Sequence, residues 1–92
     1  MYLEIVTPEK VLLSAEVVSV TVPGVEGEFQ MLNNHEPIVS VLEEGDVKIE
    51  GTFTVEEAVE DQFVKQADNK YHLHIKGGVL EMKNNKAVIL AD

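Results

Sequence analysis

The stretch VVSVTVPGVEGEFQM, residues 17–31, decides the fold class because its apolar residues alternate with polar ones on both sides of a glycine-rich turn. A period of two is typical of strands that bury one face and expose the other. Pro23-Gly24 and Gly27 supply the backbone freedom and the preset φ of a tight turn. The stretch therefore predicts two strands joined by a short turn.

The same alternation recurs along the chain, separated by Gly, Pro and Asn clusters at short intervals. Many short strands at roughly 8–12-residue spacing indicate an antiparallel sandwich or barrel. Ninety-two residues form one domain, residues 1–92. We expect about ten strands, beginning near Tyr2, Val11, Val17, Glu28, Ile38, Val47, Thr52, Tyr71, Val79 and Ala87.

The segment 56–66 departs from this pattern. Val55, Val59 and Phe63 are spaced at i, i+4 and i+8, which predicts a short one-sided helix. Acidic residues at its start would favour that helix electrostatically. The alternative is a twisted hairpin with Phe63 and Lys65 on one face.

The alternation also predicts which side chains are buried. A strand with one dry face places every second residue in the core. We expect core positions at Leu3, Ile5, Val18, Val20, Val22, Phe29, Met31, Val88 and Leu90.

The charge balance limits the classes of partner. Seventeen acidic residues oppose seven basic ones, for a net charge of −10. This argues against binding nucleic acid and against docking on an anionic membrane, and favours a cationic or neutral partner. The chain has no cysteine, no basic n-region and no long apolar run. We therefore expect no disulfide, no signal peptide and no lipid insertion, and a cytosolic setting.

No catalytic, cofactor or metal site is predicted. His72 and His74 are spaced to share a strand face, a geometry that can ligate zinc, but no third ligand is evident. We expect both to cover the outer face beside Lys76. Gly77-Gly78 lacks the lysine of a phosphate loop and predicts a bulge or tight corner. His35 has no evident nucleophile partner, so a catalytic role for it is not expected.

Several motifs together resemble one known family. They are VPGVEGEF at 22–29, LNNHEP at 32–37, GGVLEM at 77–82 and VILAD at 88–92, with IVTPE at 5–9 as the opening. In this order and spacing they resemble the N-terminal β-sandwich domain of the F-type ATP synthase ε subunit. The resemblance covers the chain apart from about residues 51–70, and Asn33-Asn34 stand where the family often has Pro-Gly.

The resemblance implies a flattened all-β sandwich of two five-stranded antiparallel sheets and a non-catalytic role on the rotor. The family's members join the γ stalk to the membrane c-ring and help to couple proton flow to ATP synthesis, at the cytoplasmic face of the inner (plasma) membrane, as part of a peripheral complex. By position, Glu28 matches the glutamate that meets polar loops of the c-ring, and Glu26 and Gly27 form the turn that presents it. His35 matches a histidine near the γ and c-ring contacts. We expect these acidic and imidazole corners to be adjacent and exposed, and the isolated domain to be monomeric.

Two further expectations follow from the resemblance. Family members continue past the Leu-Ala-Asp motif into an inhibitory helical hairpin, whereas this sequence ends at Asp92, so we expect hairpin-based inhibition and ATP sensing to be absent. The outward apolar residues Val17, Val25 and Leu32 are candidates for a γ-binding surface.

The rival hypotheses belong to other classes of protein. A free-standing sandwich that binds a small ligand or a carbohydrate would expose aromatic side chains as a stacking platform. A small hydrolase would need a nucleophile constellation that the sequence does not show.

Overall fold

The computed structural model describes residues 1–92 and is all-β, as the alternation predicts. The predicted hairpin around the glycine turn is present. The ten strands are β1 (Tyr2–Val6), β2 (Val11–Glu16), β3 (Ser19–Gly24), β4 (Gly27–Met31), β5 (Ile38–Leu42), β6 (Gly45–Glu50), β7 (Phe63–Lys65), β8 (Tyr71–Ile75), β9 (Gly78–Lys83) and β10 (Lys86–Ala91). No helix is long and apolar enough to cross a bilayer.

Hydrogen bonds join all ten strands into one curled sheet. Five strands form a first group in the order β2-β1-β10-β9-β5, and five form a second group in the order β4-β3-β6-β8-β7. The two groups are connected through a single β3–β5 pair, Gly24 with Leu42. Two separate five-stranded sheets are therefore not observed, because this corner makes the hydrogen bonding continuous.

One strand pair corrects the expectation that all pairing is antiparallel. β1 lies between β2 and β10, and it runs parallel to β10 with Tyr2 opposite Lys86 and Val6 opposite Leu90. The Tyr2 amide donates to the Asn85 carbonyl at 3.0 Å, so both strands start from the same end of the molecule. Such pairing joins distant parts of the chain and leaves no local turn signal in the sequence.

The two groups enclose one core of 21 buried apolar residues. Leu3, Ile5, Val20, Val22 and Met31 are buried, as predicted. Phe29 is half-buried and packs against this core. Three core predictions were wrong, because Val18 and Leu90 are exposed and Val88 is half-buried outside the core.

The error at β10 has a simple origin. This strand is apolar at nearly every position, so alternation alone does not show which of its side chains point into the core. The structure turns Ala87, Ile89 and Ala91 inward, which sends Val88 and Leu90 to the outer face.

The alternation of buried and exposed residues also shifts by one position between β2 and β3. Val17 was expected outside and Val18 inside, whereas Val17 is buried and Val18 is 56% exposed. The Val17 amide donates to the Met1 carbonyl and the Val18 amide to the Glu50 carbonyl, so the chain leaves one group and enters the other here. A change of partner strand between adjacent residues breaks the simple period of two.

The segment after β6 differs most from the prediction. No strand begins near Thr52; the chain there is irregular, with the Phe53 ring packed against Tyr71 at 5.1 Å between centroids. A 3₁₀ helix spans Glu57–Gln62, and β7 follows it directly, so the chain still has ten strands although none begins near Thr52. Both readings of 56–66 were partly right, because the helix buries Val59 and the hairpin partner strand starts at Phe63.

The Gly77-Gly78 pair forms a close corner. Gly78 has φ of 153°, and a Cβ added there would lie 2.2 Å from the Leu90 carbonyl oxygen. Backbone from β10 therefore fills the space that any other residue would need.

Candidate protein-contact site

The β3–β4 turn shapes the first part of the candidate site. Val25 and Glu26 form its tip, and Gly24 pairs with Gly27 across the base. A Cβ on Gly24 would lie 2.8 Å from both the Gly27 carbonyl oxygen and the Phe29 ring. Gly27 has φ of 127°, a conformation that residues with a Cβ rarely adopt. The two glycines thus hold the acidic tip in one shape, with Glu26 exposed.

Glu28 is not a free carboxylate. The Lys48 ammonium on β6 donates to Glu28 Oε2 at 2.9 Å, across the intervening strand β3. This hydrogen bond is the main reason that the pKa of Lys48 is raised. The Glu28 side chain remains 50% exposed, so the ion pair is solvated and contributes about 0–1 kcal/mol to the free energy of unfolding. Glu28 is accessible to a partner and already oriented.

His35 lies in the loop between β4 and β5 and is half-buried. Its Nδ1 lies 2.7 Å from the Glu36 carbonyl oxygen, which can only accept, so Nδ1 carries a proton in this contact. Asn34 takes φ of 61°, and its amide donates to the Asn85 side chain at 2.8 Å. The loop is therefore fixed to the β9–β10 turn, and asparagine supplies the left-handed conformation at this point.

The acidic turn and the His35 loop are not adjacent, contrary to expectation. They lie at opposite ends of β4, so Gly27 and Met31 are separated by about 13 Å along the strand. No hydrogen bond or ion pair links Glu28 to His35. Of the predicted site residues, Glu26, Gly27 and Glu28 are brought together and His35 is apart.

An apolar row crosses all five strands of the first group on its outer face. The register aligns Val11 with Val6, Val6 with Leu90, Leu90 with Val79 and Val79 with Val41. We call these five residues the apolar row. Four of them are exposed by 37–58%. Sequence reasoning missed this surface, since the row exists only once the register of five strands is known.

The row leads directly to the acidic turn. The Val25 amide donates to the Val41 carbonyl at 3.3 Å, and Val25 is itself 55% exposed. Of the other two apolar residues expected on the surface, Leu32 is exposed, in the His35 loop, whereas Val17 is buried and is excluded as a contact. Apolar and acidic surfaces thus meet at one corner.

The outer face of the second group is polar and contains an interlocked set of charges. Asp46 on β6 accepts from His72 Nδ1 at 3.2 Å and from His74 Nδ1 at 3.0 Å. The pKa of Asp46 is lowered chiefly by the hydrogen bond from His74 and then by that from His72. No group of three or more residues in the structure is arranged to hold a metal ion. The histidines cover the outer face as expected, but the shared aspartate is not predictable from the sequence, because Asp46 is 26 residues from His72 and 28 from His74.

The exposed features of this domain are the acidic turn, the His35 loop and the outer faces of the two strand groups. None of the five aromatic residues is exposed as a platform for a sugar or ligand. An all-β domain with an apolar row ending at a rigid acidic turn is a protein-contact module.

The comparisons assign it to a family. The family model of the ATP synthase delta/epsilon chain β-sandwich domain matches residues 1–92, and the chain belongs to that family.

Relatives of known name support this assignment. The ATP synthase epsilon chain of Chlorobium limicola is 36% identical over 90 residues, covering 98% of this chain and 86% of the relative. That of Maridesulfovibrio salexigens is 36% identical over 92 residues, covering 100% of this chain and 54% of the relative. The chain thus spans most of the first relative and about half of the second.

Two solved structures show the same fold. The central stalk and c-ring structure of Tetrahymena thermophila mitochondrial ATP synthase contains a chain that matches with a TM-score of 0.70 at 20% identity, covering 98% of this chain and 61% of that chain. The Euglena gracilis mitochondrial ATP synthase structure (OSCP, F1 and c-ring) gives a TM-score of 0.74 at 23% identity, with coverages of 97% and 48%.

Proposed function

We propose that this chain is a non-catalytic rotor subunit of the F-type ATP synthase, which links the γ subunit to the c-ring and helps to couple proton flow to ATP synthesis. The match of the whole chain to the delta/epsilon β-sandwich family carries this proposal. The names of the relatives, at 36% identity, favour a subunit of the synthase over a free-standing ligand-binding module. Its place is the cytoplasmic face of the inner membrane, within a peripheral complex.

The acidic turn is the proposed contact for polar loops of the c-ring. Its tip is exposed, and its backbone is fixed by two glycines, so binding orders little new structure. Glu28 offers a half-exposed carboxylate that accepts strong hydrogen bonds from cationic or amide groups. The His35 loop, about one strand length away, would form a second contact with γ or the c-ring.

The apolar row is the proposed contact for γ. A row that crosses five strands is an unusual surface for a chain with a net charge of −10. Its end at Val41 adjoins Val25 in the turn, so one partner on the row and another on the turn would be neighbours. This is the arrangement that a link between two rotor parts requires.

A capture experiment tests the γ contact. Tagged chain is mixed with purified synthase lacking its own ε subunit, and retained γ is measured. Leu90→Glu, in the centre of the row, places an unpaired charge in the interface, and we expect capture to weaken by at least about tenfold, or ~1.4 kcal/mol. Val18→Glu is the matched control, because Val18 is 56% exposed against 53% for Leu90 and lies outside the row. Equal capture by both variants would exclude the row as the γ contact, and no capture by wild type would refute the function.

A further inference from the structure

Both imidazoles on the outer face of the second group are held between carboxylates. His74 Nδ1 lies 3.0 Å from Asp46, and His74 Nε2 lies 3.0 Å from Glu44. His72 Nδ1 lies 3.2 Å from Asp46, and His72 Nε2 lies 2.9 Å from Asp68. Asp46 is therefore shared, with one oxygen for each ring.

All four of these contacts are hydrogen bonds only when both nitrogens of each ring carry a proton. A carboxylate only accepts hydrogen bonds, and a neutral imidazole has a single N–H, so a ring between two carboxylates satisfies both only as imidazolium. The hydrogen bonds to Glu44 and then Asp46 raise the pKa of His74. The hydrogen bond from His72 and then that from the Lys70 amide lower the pKa of Asp68.

Lys48 connects this cluster to the acidic turn. It lies opposite His72 in the β6–β8 register and two residues from Asp46 on the same face. Its ammonium is bonded to Glu28 at 2.9 Å, and the negative charges of Asp68 and Asp46 also act on it. Three carboxylates thus compete for one lysine, and two of them already have imidazolium partners.

We propose that the two histidines form a pH-sensitive clamp that controls how tightly Lys48 holds Glu28. While the rings are protonated, they occupy Asp46 and Asp68, and Lys48 pairs with Glu28. When the rings lose their protons, each keeps at most one N–H for two acceptors, and the freed negative charge of Asp46 and Asp68 draws Lys48 away. Glu28 then becomes a free carboxylate at the corner.

The groups that face the clamp are few. They are Glu44 before β6, Asp46 and Lys48 on β6, Asp68 and Lys70 in the turn before β8, Lys76 directly after β8, and Glu28 on β4. Four of these seven groups are acidic and three are lysines. The hydrogen bonds to Glu44 and then Asp46 therefore hold the pKa of His74 above its ordinary value of 6.5.

The clamp rests on the proposed function only where it names Glu28 as a contact for another subunit. If Glu28 contacts another subunit, rising pH weakens its ion pair with Lys48 and so frees its carboxylate for that contact. The coupling between the rings and Glu28 is a property of the free chain, so it can be tested without γ or the c-ring.

The test is a side-chain NMR titration of the whole chain from about pH 5 to about pH 9, across the histidine range. The carbon signals of the Glu28 carboxylate and the ring signals of His74 are followed together. We expect Glu28 to show an inflection at the same pH as His74, and to lose it in the double variant His72→Asn, His74→Asn. His35→Asn removes the third histidine and should leave the inflection in place.

Two outcomes would overturn the clamp. One is a Glu28 signal that stays flat while His74 titrates; the other is an inflection that persists in the double variant or disappears in His35→Asn. Unchanged amide dispersion in each variant shows that the fold is intact. Failure of the γ capture experiment would refute the proposed function and leave this titration unaffected.

Discussion

Substitution of Gly27 by alanine isolates the backbone geometry of the acidic turn. Gly27 has φ of 127°, and a Cβ added to it meets no atom within 4 Å. An alanine side chain there loses no packing and clashes with nothing outside its own neighbours. Any loss of stability must therefore come from the strained conformation itself.

The magnitude follows from two opposing terms. Residues held in sparsely populated φ/ψ regions cost of the order of 1–3 kcal/mol. Replacing glycine also stiffens the unfolded chain, which stabilises by about 0.4–1 kcal/mol. We expect Gly27→Ala to lower the free energy of unfolding by about 1–2 kcal/mol, or to lower Tm by roughly 4–16 °C for a domain of this size.

Urea denaturation followed by far-ultraviolet circular dichroism measures this loss. The sharpest control is D-alanine at position 27, introduced by chemical synthesis, because a D residue readily adopts positive φ. We expect the D-alanine chain to be as stable as the glycine chain or more stable, with unchanged m. Equal stabilities for L- and D-alanine would refute the idea that positive φ at Gly27 shapes the turn.

Three further substitutions probe the core, the clamp and the ion pair. Leu80→Ala removes a fully buried side chain and should cost about 2–5 kcal/mol in urea denaturation, whereas Val41→Ala on the exposed row should stay within about 0.5 kcal/mol; similar losses would contradict the assigned faces. Because the pKa of His74 is raised in the fold, its stabilisation is present below its ordinary value of 6.5 and is lost as pH rises through the raised pKa. The lowered pKa of Asp46 adds stability above 3.8 that is lost as pH falls. Tm should therefore be highest between these values, and His74→Asn should flatten its decline on the alkaline side; an unchanged decline would count against the clamp. Lys48→Gln should cost about 0–1 kcal/mol, because both partners of its ion pair are partly solvated, and a loss of several kcal/mol in the same assay would show that the pair is more buried than described.

The fold class was predictable because the signal is local. Alternation and turn residues around Gly27 predict the β3–β4 hairpin, and the same reasoning predicts burial of Leu3, Ile5 and Val20. Each inference needs only the chain within a few residues of the position.

The errors arose where the local signal is degenerate. β10 is apolar at nearly every position, so alternation does not show which of its side chains point inward. The chain changes its partner strand between Val17 and Val18, so the alternation does not continue across this step. The parallel β1–β10 pair joins the two ends of the sequence. The irregular chain at Thr52 has strand-like alternation but no partner strand.

The candidate site also has one part that the sequence predicts and other parts that depend on the register of distant strands. The acidic turn at Glu26–Glu28 was predicted from sequence, whereas its ion pair with Lys48 crosses an intervening strand and requires the register of three strands. The apolar row and the shared Asp46 likewise depend on pairings between residues far apart in sequence. Glu28 and His35 are not adjacent because β4 separates the acidic turn from the His35 loop.

Site-specific photocrosslinking in the assembled synthase tests the rotor assignment most directly. A photoreactive amino acid replaces Glu28 in an enzyme that carries this chain as its ε subunit, and the same residue replaces Lys65 on edge strand β7 as a control. Four strand spacings separate the two positions, or about 19 Å across the sheet. We predict that the probe at position 28 crosslinks to the c subunit and that the probe at position 65 does not. Assembled enzyme in which position 28 crosslinks to neither c nor γ would contradict the account.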